Sequence, residues 1–218
     1  ALYADESRTQ TVLTWHGLRQ QGEKQPDAQN QMRPSRCLAD FIAPRDKGVQ
    51  DYLGAFAVTA GLGVDVKEAE FLGRYDDYSA IMLKSLADRL AEAAAEWLHR
   101  RVRTDWWGYA GGELLTPGQL INEEYRGIRP APGYPACPDH RVKKPLLDLL
   151  GAHDIGMALT GAYAMTPAAS VSGFYFSHPQ AAYFNVGKIS PEQALDLAAR
   201  SGADPVEVER ALAPNLNL

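Results

Sequence analysis

Cysteine is scarce in this sequence: its 218 residues include only Cys37 and Cys137. Two cysteines are too few for the disulfide framework of a small secreted protein. One bridge between them is the alternative, but two buried free thiols are the better interpretation. Free thiols suit a reducing compartment, so we expect a cytoplasmic protein.

Long apolar runs and an excess of basic residues are also missing. The most apolar stretches, residues 53–62 and 162–176, are interrupted by polar residues, glycine or proline. They fall short of the roughly 20 apolar residues that span a bilayer. Lys and Arg number 22 against 27 Asp and Glu, a formal net charge of −5. A nucleic-acid-binding surface is normally basic, so we expect neither a membrane protein nor a nucleic-acid-binding protein.

Several motifs of cofactor and catalytic sites are absent. No Gly-x-Gly-x-x-Gly is present, so a Rossmann nucleotide site has no support. Cys137 and His140 have the spacing of one zinc-binding pair, but no second pair completes four ligands. Asp139 and His140 could serve Ser170 or Ser172 as an acid–base pair, yet no nucleophile elbow accompanies them. We therefore expect no metal site and no hydrolase site.

The most regular pattern predicts a long helix over Asp77–Arg103, about 40 Å in length. Asp76 can cap its first turn. Apolar side chains recur along it at spacings of three and four, the helical period. They are Tyr78, Met82, Leu86, Leu90, Ala93 and Trp97.

Three shorter helices are indicated by a cap residue followed by proline. They are expected from Thr116 to Arg126, over Pro191–Ser201 and over Pro205–Leu212. Strand candidates are Thr9–Trp15, Cys37–Ala43, Met157–Met165, Ser170–Phe176 and Ala182–Ile189, and Asp51–Ala60 could be a strand or a helix. Short links between the last three strand candidates favour an antiparallel meander. Helices grouped apart from a meander predict a single α+β domain, with an antiparallel twisted sheet flanked by helices.

The least usual segment is the proline-rich stretch from Tyr125 to His140. Four of the 14 prolines fall between positions 130 and 138. Proline fixes φ and removes a backbone donor, which predicts a stiff exposed loop. Gly133 permits a turn or a close approach to a ligand, and Arg129 could hold a carboxylate through two parallel hydrogen bonds. The alternative, on these residues alone, is a rigid surface connector with an arginine ion pair.

The same loop carries a resemblance to a known family. Residues 129–138 read Arg-Pro-Ala-Pro-Gly-Tyr-Pro-Ala-Cys-Pro and contain an Arg-x-x-x-Gly-Tyr signature for S-adenosylmethionine. Further matching segments are residues 37–41, 86–92, 107–109, 170–173, 175–179 and 212–216. In order and over nearly its whole length, the chain resembles the C-terminal activation domain of cobalamin-dependent methionine synthase.

The resemblance implies roles for particular residues. Arg129 would hold the carboxylate of S-adenosylmethionine, and the backbone at Ala131 and Gly133 would contact the ligand. Tyr134 would approach the cobalt face of the corrin, and it is the residue assigned to the catalytic step. We also expect Tyr134 to be exposed on a concave surface.

Four more positions match residues near the family's ligand. Glu92 and Glu123 correspond to two acidic residues, although a solvated helix face is the alternative for the acidic stripe at positions 88, 92 and 96. Tyr183 and Phe184 stand where the family often has two tyrosines. Phe184 lacks the hydroxyl, so a hydrogen bond expected at that position is in doubt.

The resemblance also implies a chemistry shared among domains. The activation domain presents S-adenosylmethionine for reductive methylation of cob(II)alamin, which restores a methyltransferase that methylates homocysteine. Cobalamin is bound by a separate domain of the same polypeptide, and flavodoxin or a similar reductase supplies the electron. This chain alone is not expected to be catalytic. The alternative function is a structural or regulatory module that docks a partner and has a degraded ligand site.

The family's domain normally begins well upstream of Ala1. Its upstream part carries an Asp-Trp-Thr-Pro segment, whose aspartate contacts the amino group of S-adenosylmethionine. We therefore expect residues 1–218 to represent this domain without its N-terminal part, as a truncated or excised chain. Ligand binding is expected to be weak or absent without that part.

Overall fold

The computed structural model describes residues 1–22, 24–26 and 30–216. The α-helices are α1 (Val64–Leu72), α2 (Asp77–Arg101), α3 (Pro117–Ile121), α4 (Lys143–Leu150), α5 (Pro191–Ser201) and α6 (Pro205–Leu212). The strands are β1 (Leu2–Tyr3), β2 (Thr11–Leu13), β3 (Gly54–Thr59), β4 (Ala158–Leu159), β5 (Met165–Thr166) and β6 (Ser170–Tyr175). This mixture, with antiparallel strand pairs, confirms the α+β class.

Helix α2 begins where the sequence predicts and ends two residues earlier. The carboxylate of Asp76 accepts a hydrogen bond from the backbone N–H of Ser79 at 3.0 Å, which caps the first turn. After Arg101 the chain continues as a π-helical turn over Val102–Trp106. The turn carries the chain from α2 toward the site described below.

Apart from His99 near its end, the buried face of α2 is made of alanines. Ala80, Ala87, Ala91 and Ala95 are each less than 5% exposed. The apolar stripe that predicts the helix is largely on the other face, where Leu86 and others are more than half exposed. The spacing therefore identified the helix but not its buried side. Because alanine adds little volume, α2 can lie close to α1, β3 and β6, against which it packs.

The main antiparallel sheet pairs strands that are far apart in sequence. Strand β3 runs against β6 in register from Gly54 opposite Tyr175 to Thr59 opposite Ser170. The predicted meander is wrong: Met157–Met165 contributes only to the small β4–β5 pair, and Ala182–Ile189 forms no strand. Two backbone N–H groups in that last segment instead bond to distant carbonyls, Val186 to Pro135 and Ile189 to Asn215, both at 2.9 Å.

Local side-chain contacts account for two other differences from prediction. Cys37–Ala43 contains a 3-10 helix at Leu38–Phe41 rather than a strand, because the carboxylate of Asp40 accepts from the N–H of Cys37 at 2.9 Å. Helix α3 has the predicted capping box at Thr116 but ends at Ile121 instead of Arg126. Two residues later Glu123 has a φ of 55°, which an α-helix does not accommodate.

The two C-terminal helices have the predicted bounds, and they form a separate apolar cluster. Ser190 and Asp204 cap them, and Gly202 between them has a φ of 64°. Their buried side chains include Leu197, Val208 and Leu212. In the described part of the chain, no helix combines the length and the apolar character needed to cross a membrane.

The central core packs aromatic side chains against the loop that carries the candidate site. Phe174 and Phe176 are fully buried, and Trp15 stacks on Phe174 with ring centroids 5.1 Å apart. Cys137 belongs to this core, and both cysteines are buried free thiols. Burial raises the pKa of both thiols, so they remain protonated near neutral pH.

Candidate functional site

The residues around Arg129 extend the main sheet by a short edge segment. Ile128 and Phe176 exchange two backbone hydrogen bonds of 3.0 Å, and the N–H of Phe174 donates to the carbonyl of Pro130 at 3.0 Å. Ile128 and Pro130 are buried, while Arg129 between them is not. The alternation expected of a strand therefore directs Arg129 away from the central core.

The next residues fold back in a tight turn. The N–H of Tyr134 donates to the carbonyl of Ala131 at 3.2 Å, and the N–H of Gly133 donates to the carbonyl of Cys137 at 2.7 Å. Gly133 has a φ of 95°, and a Cβ there would lie 2.3 Å from Cε1 of His140. Only glycine fits this turn. Tyr134 is 67% exposed, which confirms the predicted exposure, whereas the concave surface around it and its approach to a corrin stay predictions.

The guanidinium of Arg129 lies among three acceptors. Nη2 pairs with Oε2 of Glu96 at 2.6 Å. Nη1 donates to the hydroxyl of Tyr125 at 2.5 Å and lies 3.2 Å from Nδ1 of His99. The backbone N–H of Arg129 donates to the hydroxyl of Tyr183 at 3.0 Å. Tyr183 therefore lies beside Arg129, and its contact with the ligand stays a prediction.

His99 was not identified from the sequence, although it lies at the centre of this arrangement. Its side chain is fully buried, with its ring stacked on Tyr175 at 4.9 Å and edge-on to Tyr125 at 5.1 Å. Burial, followed by the charges of Arg103 and Arg129, lowers the pKa of His99 to about 2. The imidazole is therefore neutral at physiological pH.

A second buried arginine, Arg103, packs against Tyr125 in the same cluster. Arg103 is fully buried and holds Glu113 with Nε and Nη2, at 2.8 and 2.7 Å. Its guanidinium carbon lies 3.8 Å from the ring centroid of Tyr125, a cation–π contact. Its Nη1 has no acceptor among the described residues. Neither Arg103 nor Glu113 has a sequence signal that marks it as part of a site.

The tyrosines of the cluster stay protonated. Burial raises the pKa of Tyr109 and of Tyr125 to about 12. Burial also raises the pKa of Tyr183, and the nearby charge of Glu123 adds to the effect. These hydroxyl groups therefore act as neutral hydrogen-bonding groups and not as bases near pH 7.

The acidic residues predicted near the ligand have different positions. Glu96 contacts Arg129, whereas Glu92, one helical turn earlier, is more than half exposed and pairs with Arg89 at 2.9 Å. Glu123 is exposed and close enough for its charge to act on Tyr125 and Tyr183. Glu96, which the sequence did not single out, is the residue at the arginine, and a ligand role for Glu92 and Glu123 stays a prediction.

Tyr183 and Phe184 have different surroundings. Phe184 packs near Phe41, with ring centroids 6.5 Å apart, and it lines a cleft of about 480 Å³ together with Arg36 and other polar residues. Tyr183 instead contacts Arg129. A ligand contact from Phe184 stays a prediction.

Titration of His99 predicts an acid-sensitive fold. Below about pH 6.5 the unfolded chain binds a proton at His99, whereas in the folded chain the lowered pKa keeps His99 neutral down to about pH 2. Stability from neutral His99 is therefore complete above pH 6.5 and is lost as the pH falls, by about 2 kcal/mol between pH 7 and 5. The difference in unfolding free energy between the parent and His99→Asn should shrink by that amount, measured by urea unfolding. A difference independent of pH would contradict this assignment.

Candidate metal ligands do not cluster within residues 1–22, 24–26 and 30–216. No three His, Cys, Asp or Glu side chains converge there in a way that could hold a metal ion. The site is instead an arginine fork surrounded by hydroxyl, imidazole and carboxylate acceptors. Such a site suits an organic ligand with a carboxylate.

Comparisons with known proteins are consistent with this geometry. A family model described as the activation domain of vitamin B12-dependent methionine synthase matches residues 1–202. A solved structure described as "Crystal Structure of the MetH Reactivation Domain bound to AdoHcy" is 53% identical, with a TM-score of 0.92. The alignment covers 100% of this chain and 65% of that one. The resemblance found in the sequence is thereby confirmed, and the chain belongs to the family of vitamin B12-dependent methionine synthase activation domains.

Proposed function

We propose that this chain binds S-adenosylmethionine and supports the reductive methylation of cob(II)alamin in a cobalamin-dependent methionine synthase. The observation that carries the proposal is the Arg129 fork, fixed beside the Gly133 turn in a chain that matches an AdoHcy-bound structure over its full length. Bound S-adenosylmethionine would supply the methyl group. The activity of the complete enzyme belongs to a longer polypeptide.

The free donors of Arg129 support the binding of a carboxylate. Its Nη1 already has two hydrogen-bond partners, whereas Nη2 is engaged only in the Glu96 ion pair and Nε has no partner among the described residues. Arg103 uses these same two nitrogens to hold the carboxylate of Glu113. Arg129 can therefore take a ligand carboxylate in the geometry that the protein already uses nearby.

The backbone and the acidic side chains fit the remaining parts of the ligand. The N–H of Ala131 takes part in no hydrogen bond within the described residues, so it can donate to the ligand. S-adenosylmethionine carries a sulfonium and an ammonium besides its carboxylate. The carboxylates of Glu92, Glu96 and Glu123 would offset that positive charge. We infer that the ligand lies between the Ala131–Gly133 backbone and Tyr183.

The remaining assignments concern partners. Tyr134 is exposed at the tip of a turn held by Pro132 and Pro135, which limits the entropy lost on docking. We propose that it faces the corrin of a cobalamin domain in the same polypeptide. Flavodoxin or a similar reductase would supply the electron, and the reaction would then take place in the cytoplasm.

We also propose that Tyr183 and Phe184 both contact the bound ligand.

Replacement of Arg129 tests the proposed function. Arg129→Ala removes a charge-assisted contact of about 1.5–3 kcal/mol, so affinity for S-adenosylmethionine should fall roughly tenfold to a hundredfold. Arg129→Lys should restore only part of it, because an ammonium cannot form two parallel hydrogen bonds. Titration calorimetry with S-adenosylmethionine, AdoHcy and adenosine measures the effect, and adenosine binding should change little.

Arg100→Ala is the matched control, because Arg100 is exposed on α2 and its side chain contacts none of the site residues. It should bind all three ligands like the parent, and circular dichroism should show that every variant is folded. The solved reactivation domain provides the positive control for AdoHcy. If the parent binds neither AdoHcy nor S-adenosylmethionine while that control does, the partner-docking module becomes the better description of this chain.

A further inference from the structure

We propose that His99 is a positioning residue that orients the Arg129 fork for the carboxylate of the ligand, and that Tyr109 in turn accepts the hydrogen on Nε2 of His99. The inference rests on the proposed function, because it concerns the ligand that Arg129 would hold. It also gives a role to the Trp-Gly-Tyr segment at residues 107–109, which the sequence singled out without assigning a function.

Hydrogen-bond chemistry fixes the protonation state of the ring. A guanidinium can only donate, so Nδ1 of His99 must accept from Nη1 of Arg129, 3.2 Å away. A neutral imidazole has one acceptor and one donor, so Nε2 carries the hydrogen. Nε2 lies 3.3 Å from the hydroxyl of Tyr109 and donates to its oxygen. One chain of hydrogen bonds therefore runs from Tyr109 through His99 to Arg129.

Packing prevents the ring from turning. His99 is fully buried, and Tyr175 stacks on one face while the edge of the ring meets Tyr125. A flip of the ring would exchange Nδ1 with Cδ2, so that a C–H group faced the Nη1 donor of Arg129 in place of an acceptor. The direction of the Nδ1 lone pair is consequently fixed by the core and not by the ligand.

That fixed acceptor decides which nitrogens of Arg129 remain available. Tyr125 and His99 together use both N–H groups of Nη1, and Glu96 forms an ion pair with Nη2. Without His99 the fork can rotate about its last side-chain bonds, because Glu96 and Tyr125 each hold it at a single atom. His99 therefore keeps Nε and Nη2 turned toward the ligand. Holding these donors in place before the ligand arrives preorganises the binding site.

Two amide variants separate positioning from packing. The amide of asparagine replaces the Nδ1 side of histidine, so His99→Asn keeps an acceptor for Arg129. The longer glutamine reaches the place of Nε2, so His99→Gln can contact Tyr109 but not Arg129. We expect AdoHcy affinity to fall roughly tenfold in His99→Gln and less than threefold in His99→Asn. Adenosine, which lacks the carboxylate, should bind both variants like the parent in calorimetry.

A ligand-free measurement provides an independent readout. Imidazole ¹⁵N shifts of the parent chain should show His99 as the Nε2–H tautomer between pH 5.5 and 8. A Nδ1–H tautomer would overturn the proposal, as would equal losses of AdoHcy and adenosine affinity in both variants. Failure of the parent to bind AdoHcy, with the expected tautomer, would instead contradict the proposed function and leave the His99–Arg129 contact supported.

Discussion

Glu113→Ala should destabilise the fold by about 3–5 kcal/mol, the usual result of leaving one member of a buried ion pair without its partner. Arg103 is fully buried, Glu113 is 7% exposed, and their two hydrogen bonds are 2.8 and 2.7 Å. Removing the carboxylate leaves the guanidinium with only the ring of Tyr125 for compensation. Urea unfolding followed by circular dichroism measures the change.

The control is a double variant that removes the charge as well. Arg103→Met combined with Glu113→Gln replaces the ion pair with neutral groups of similar length, so it should be more stable than Glu113→Ala alone. If Glu113→Ala lowers the free energy of unfolding by less than about 1 kcal/mol, water reaches Arg103, which would contradict its complete burial.

Gly133→Ala should disrupt the turn that carries Tyr134. The φ of 95° is unfavourable for alanine, and its Cβ would lie 2.3 Å from Cε1 of His140 and 2.8 Å from Nδ1. Backbone strain alone accounts for about 1–3 kcal/mol of destabilisation, and the overlap adds to it. We also expect AdoHcy affinity to fall at least tenfold, because Ala131 and Arg129 precede the displaced turn. Thermal unfolding and calorimetry measure the two effects.

Gly187→Ala provides the matched control, since Gly187 has a φ of 83° and no atom lies within 4 Å of the added Cβ. It carries similar backbone strain without the overlap. The double variant Gly133→Ala, His140→Ala should regain part of the stability by opening space. Equal destabilisation by Gly133→Ala and Gly187→Ala would show that His140 imposes no steric limit on the turn.

Local signals in the sequence predicted the elements that depend on local contacts. The caps at Ser190 and Asp204 gave both C-terminal helices, and Asp76 gave the start of α2. The pairing of β3 with β6 joins residues more than a hundred positions apart, and no nearby residue encodes it. Short links around β6 suggested a meander because neighbouring strands usually pair, but here a distant strand is the partner.

The candidate site also combines features that local sequence encodes with features that depend on distant contacts. The proline loop and Arg129 were recognisable because their chemistry lies in one continuous segment. Glu96 and His99 reach Arg129 from the last turns of α2, about thirty residues earlier in the chain. Their contribution depends on how α2 is placed against the sheet, which spacing along one helix does not reveal. The resemblance to the family, and not the helix spacing, favours Glu92 over Glu96 from the sequence.

The alanine face of α2 makes side-chain volume, and not hydrophobicity, the property that limits substitution there. Ala95 packs against Phe56 and Tyr175 beneath the helix, immediately before Glu96 and one turn before His99. A leucine at that position would be equally apolar, yet it would push the helix outward and carry Glu96 and His99 away from Arg129. The separation between helix and sheet therefore limits the size of the side chain at Ala95, and the contacts of Glu96 and His99 with Arg129 depend on that separation.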